Sequence, residues 1–106
     1  MNLRTKIFKG LIEEQLASIP DITFRRLFSG FSIYSGETIF GLIHGERLYF
    51  HTDDESRGRY QKCGSTFFTA PGSKKPLRNY YEIPPAIIEQ ENELVAWALT
   101  AIQTRK

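Results

Sequence analysis

The chain has 106 residues, 41% of them hydrophobic, which is enough for one domain over residues 1–106 with a core of its own and too apolar for disorder. Fourteen Lys and Arg against twelve Asp and Glu give a net charge of +2, too small a balance to mark a nucleic-acid binder by itself. A lone cysteine, Cys63, excludes an internal disulfide and points to a reducing, cytoplasmic setting; no apolar run reaches the ~20 residues of a membrane span.

Leu3, Ile7 and Leu11 recur every fourth residue, and so do Phe8, Ile12 and Leu16. The two rows predict a first helix with one merged apolar stripe, closed by Pro20. Ile22, Phe24 and Phe28 are strand formers interleaved with Thr23, Arg25 and Arg26. Phe31 to Tyr34, Thr38 to Ile43, and the alternating run around Leu48 and Phe50 then read as a three-stranded meander, with turns at Ser35-Gly36 and His44-Gly45. Thr52-Asp53-Asp54-Glu55 has the form of a capping box with Thr52 as the cap, opening a short helix that Cys63-Gly64 ends. Strands follow over Thr66 to Ala70 and Leu77 to Ile83, separated by a loop over residues 71–76. Pro84-Pro85 is a break, and Asn92 caps a last helix carrying Leu94, Val95, Ala98, Leu99 and Ile102.

The order is α-β(3)-α-β(2)-α. It predicts an α+β fold of two layers, a mostly antiparallel five-stranded sheet with helices on one face. The expected core is Phe8, Leu11, Phe24, Ile33, Ile39, Leu42, Leu48, Phe68, Tyr81, Leu94 and Trp97.

No catalytic, cofactor or metal residue is assigned. Asp53, Asp54 and Glu55 fit a helix start, not a calcium loop with oxygen ligands at alternate positions. His44 and His51 lack metal-site spacing and read as surface histidines. Cys63 falls at a helix C-terminus, where the dipole disfavours a thiolate, and reads as an inert, partly buried thiol. The serines sit in no GxSxG elbow and the glycines make no phosphate loop.

Two surfaces carry functional readings. Arg25 and Arg26 with Lys74, Lys75 and Arg78 form a nucleic-acid surface if the sheet gathers them, with Phe31, Tyr34 or Tyr80 as stacking platforms. The plainer reading is a solvated strand edge and a charged loop. Tyr34, Tyr49 and Tyr80 are expected on the sheet face away from the helices, as an aromatic patch for self-association into a homodimer.

The stretches Arg26-Leu27-Phe28-Ser29-Gly30, Ile33-Tyr34, Phe40-Gly41-Leu42-Ile43, Arg47-Leu48-Tyr49-Phe50, Tyr80-Tyr81-Glu82-Ile83-Pro84 and Leu94-Val95-Ala96-Trp97-Ala98 resemble, in order and spacing, the N-terminal domains of the TfoX/Sxy family of bacterial competence regulators. The family's usual Phe-Gly-Gly stands here as Phe28-Ser29-Gly30. The resemblance implies a secretion-chaperone-like layout and no catalytic residues. Longer members carry a second, helical domain and act in competence-gene activation with a cyclic-AMP receptor protein. The chain ends at Lys106, before such a domain, and reads as a stand-alone member or an N-terminal domain. The resulting expectation is a non-enzymatic protein-interaction domain related to competence and transcription regulation. The rivals are a nucleic-acid module, which the small net charge disfavours, and a small ligand-binding protein or enzyme.

Overall fold

The computed structural model describes residues 2–27, 29–69 and 76–106. Helix α1 spans Leu3–Gln15. The Asn2 side chain starts it by accepting from the Thr5 backbone N–H at 2.9 Å, which satisfies one of the free donors of the first turn. Four strands follow: β1 (Ile22–Leu27), β2 (Gly30–Ser35), β3 (Thr38–His44) and β4 (Arg47–His51). Then come α2 (Asp54–Lys62), the two-residue β5 (Phe67–Phe68), β6 (Leu77–Glu82), a single-turn α3 (Pro85–Ile88) and α4 (Glu91–Gln103).

The strands form one antiparallel sheet in the order β1-β2-β3-β4-β6-β5. It has six strands, one more than the sequence reading, because Ile22–Leu27 pairs along its whole length with β2. Gly36 and Gly45 each take the first position of a two-residue hairpin turn at positive φ, 60° and 62°, which a side chain would resist. A bulge opposite Ile33 and Tyr34 makes Phe40 an extra residue in β3. Phe40 is fully buried in the core beside Phe50 at 5.6 Å between ring centroids. The chain enters β2 at Gly30, where a Cβ would lie 1.8 Å from the Ile43 carbonyl oxygen. Only glycine allows the strands to approach there.

Helices α1 to α4 share one core against one sheet face. Ile12 of α1 and Leu16 just after it, Tyr60 of α2, Ile88 of α3 and Leu94, Trp97, Ala98, Ala101 and Ile102 of α4 pack there with Ile33, Ile43, Leu48, Phe50, Tyr81 and Ile83. The opposite face has a smaller cluster of Leu42, Tyr49, Phe68 and Tyr80, with Leu27 and Ile39 against it. Tyr80 and Tyr81 therefore point to opposite faces, as strand alternation requires.

Several local expectations are corrected. Leu11 is 45% exposed and lies outside the core, while Phe8, Phe24 and Ile39 are half-buried. The cap of α2 is Asp53, which accepts from the Ser56 backbone N–H at 2.8 Å while the Ser56 hydroxyl accepts from Asp53 N–H at 3.1 Å. Thr52 is instead buried, its hydroxyl donating to the Asn79 carbonyl on β6. Pro84-Pro85 opens α3 with Pro85 in its first turn, a position where the missing N–H costs nothing. The last helix begins at Glu91, after Gln90, one residue ahead of Asn92. Cys63 is exposed, not partly buried.

Candidate functional site

Helix α1 is apolar on two sides. At about 100° per residue, Ile12 lies about 140° and Leu16 about 180° around the helix from Ile7. The rows cannot share one buried stripe, and the core takes Thr5, Ile12 and Leu16. The other row faces out, with Leu3 70%, Ile7 64% and Leu11 45% exposed on successive turns. Beside it runs a groove of about 170 Å³ lined by Arg4, Ile7, Phe8, Leu11 and Glu46. Glu46 comes from the β3–β4 turn, so an apolar floor is bordered by one cation and one anion.

Among the described residues, Arg25, Arg26 and Arg78 do not form one face. Strand alternation sends Arg25 and Arg26 to opposite sides of β1. The Arg25 guanidinium stacks over Tyr34 at 4.3 Å from the ring centroid. Arg26 instead joins Lys6, Lys9, Glu13 and Phe31 around an open cleft of about 580 Å³. Lys9 is already engaged there, 3.0 Å from Glu13 and over the Phe24 and Phe31 rings. Arg78, on β6, lies over Phe67 of β5; β6 is four strand positions from β1, a separation of ~19 Å. Lys74 and Lys75 lie outside the described residues.

The tyrosines stand on the expected face, but two of them are spent within the chain. Tyr49 is 8% exposed, with Phe68 edge-on at 4.9 Å. Tyr80 is 9% exposed against His51 at 5.2 Å. Burial pushes both phenols above their ordinary range. Tyr34 is half-buried under Arg25. An open aromatic patch made of all three is therefore not what this face presents.

His51 is buried, against the surface reading. The Thr104 hydroxyl donates to the Ala101 carbonyl at 2.6 Å, so it accepts from His51 Nδ1–H, also at 2.6 Å. Nε2 is left as the acceptor facing the Arg105 guanidinium at 3.5 Å. Burial first, then Arg105, holds the imidazole below its usual pKa and neutral. This network ties the end of α4 to the end of β4. Above it lies a cleft of about 390 Å³ lined by Asp53, Glu55, Ser56, Arg59, Thr100, Gln103 and Thr104. Hydrogen bonds from Ser56 keep the Asp53 carboxyl low, as its capping role requires.

The profile of the TfoX N-terminal domain family matches residues 14–104. The chain belongs to that family. At family level this is a competence-related regulatory domain. No curated protein matches the chain closely enough to count as a relative. The family match takes in all six strands and α2 to α4, but only the last residues of α1. Leu3, Ile7 and Leu11 all precede it. The ridge therefore lies ahead of the matched span. Its sequence signal is the Leu3, Ile7 and Leu11 row, which the sequence reading merges with the Phe8, Ile12 and Leu16 row into one stripe and of which it places Leu11 in the core.

Among the described residues, no helix is long and apolar enough to cross a membrane.

Proposed function

We propose that the chain is a non-enzymatic protein-interaction domain, acting in the competence and transcription-control setting of its family, and that the outer ridge of α1 is its docking surface. The observation that supports this is the exposure of Leu3, Ile7 and Leu11 on three successive turns. Isolated surface leucines need no explanation, but an aliphatic row bordered by charge is the form of an interaction site. The test is replacement of the chromosomal gene by an Ile7→Glu/Leu11→Glu variant in the native host. Transcripts of the DNA-uptake genes should fall to the level of a deletion strain while the protein remains as abundant as the wild type. Unchanged transcripts in the variant would contradict the docking role, and unchanged transcripts in the deletion would remove the competence setting.

A nucleic-acid reading is favoured by one observation, the cleft of Lys6, Lys9 and Arg26 over Phe31. It uses a different set from Arg25, Lys74, Lys75 and Arg78, and Glu13 neutralises part of it. Weak binding at most is expected. Fluorescence anisotropy with a labelled duplex measures it: submicromolar affinity that falls steeply with salt and is lost in Lys6→Glu/Arg26→Glu would support this reading.

A further inference from the structure

The charges around the α1 ridge are segregated along the helix. Arg4, Lys6 and Lys9 occupy its first half, Glu13 and Glu14 its end. Among the described residues, neither Arg4 nor Glu14 has an ion-pair partner. At 3.6 residues per turn, Leu3, Ile7, Gly10, Leu11 and Glu14 fall within an arc of about 100°, with Arg4 just beyond it. A parallel neighbour of the same kind would set like charges side by side. An antiparallel one sets Arg4 against Glu14.

We propose that the occupant of the ridge is a second copy of this chain, its α1 packed antiparallel on the first about a two-fold axis. This rests on the reading of the ridge as a docking surface and names its partner. The register follows from the charges. Pairing Arg4 of each copy with Glu14 of the other sets Ile7 of each against Leu11 of the other, and the helices cross beside Lys9 and Gly10. Gly10 fits that crossing. A Cβ there would meet nothing within 4 Å in the chain, so intramolecular packing does not require glycine. Glycine is a poor residue for a helix interior, yet it lets a second backbone come close.

The pairing is isologous, so each contact occurs twice. The outer sheet face offers no comparable self-complementarity, since Tyr49 and Tyr80 are already packed within the chain. One helix ridge per copy is smaller than the ~1,000 Å² expected of a permanent interface, so the dimer is weak and concentration-dependent.

Sedimentation equilibrium of the full chain from ~10 µM to ~1 mM tests this, and a reversible monomer–dimer equilibrium is expected in that range. Arg4→Glu and Glu14→Arg should each weaken it by ~10-fold or more, because like charges then meet at both ends. An equimolar mixture of the two variants should associate again, since each then supplies the charge the other lacks. Far-UV circular dichroism confirms that both variants are folded. A monomeric wild type throughout, single variants that dimerise as well as wild type, or no recovery in the mixture would each overturn the antiparallel dimer. A monomeric wild type whose Ile7→Glu/Leu11→Glu variant still fails in the host would overturn this partner while leaving the ridge as a docking surface for another protein. A monomer whose ridge variant works normally would remove both.

Discussion

In the sheet, Ile33, Leu48 and Phe50 are fully buried; on the outer side of α1, Leu3, Ile7 and Leu11 stand 45–70% exposed. Two glycines mark the same contrast. Gly30 sits where a Cβ would be 1.8 Å from a carbonyl oxygen, and Gly10 where a Cβ would touch nothing. The sheet lies inside the family match and the ridge lies ahead of it. One region is constrained by what the fold must pack, and the other carries side chains the fold does not use. A residue demanded by packing should be costly to change for stability. A residue of the ridge should be nearly free to change for stability and costly only for association.

The largest effect is expected at Gly30. Gly30→Ala forces backbone against backbone, which no rotamer change relieves, and should cost ~3 kcal/mol or more, or prevent folding. Urea denaturation measures it. A loss under ~1 kcal/mol would mean that β2 and β3 can separate there, and the contrast between the regions would weaken.

Trp97→Ala follows, at roughly 3–5 kcal/mol. Trp97 is 5% exposed, with Tyr60 edge-on at 4.8 Å and the Arg59 guanidinium 4.4 Å from its ring centroid. A loss under ~0.5 kcal/mol would place it among surface residues and undo the packing of α4.

A smaller effect concerns pH. His51 has a folded pKa below its ordinary value, through burial and Arg105, with Arg57 in the same direction and Asp53 opposing. The unfolded chain therefore binds this proton first as the pH falls. The stabilisation is fully present above about 6.5 and is lost as pH drops through the folded value. Denaturation midpoints measured between pH 7.5 and 5 should decline more steeply in wild type than in His51→Gln. Parallel curves would show that His51 titrates as it would in water.

The smallest effect on folding, and of opposite sign, belongs to Gly10. Gly10→Ala should stabilise the monomer by ~0.5–1 kcal/mol, since the site is helical and has space, while weakening self-association. A variant destabilised in denaturation would mean that Gly10 answers a constraint within the chain.

Much of this architecture was readable from residue order. Alternation marks β4, a nearly all-apolar run marks β3, the breakers on either side bound β6, and the turn glycines mark the hairpins that join β2, β3 and β4. β1 was missed because its alternation stops at Arg25-Arg26; its pairing with β2 is a tertiary fact. α3 was missed because Pro85 was read as a breaker at a position where proline suits a helix start. The burial of His51 depends on Thr104, 53 residues away, which no local pattern indicates. The ridge was half legible. Both apolar rows of α1 were evident, but a helix apolar on two sides does not say which side the core will take. That was decided by the sheet, which accommodates Ile12 and Leu16. Within the basic set, Arg25 and Arg26 are separated for a simpler reason: adjacent residues on a strand cannot share a face.

The most direct measurement is a concentration series of two-dimensional amide NMR spectra on the ¹⁵N-labelled chain. If the ridge is where the chain meets a second copy, the shifts that move with concentration will be confined to residues 3–14 and to Glu46 at the groove's edge, with the sheet unchanged. Movement at Tyr34, Tyr49 and Tyr80 with α1 silent, or no movement up to ~1 mM, would contradict it.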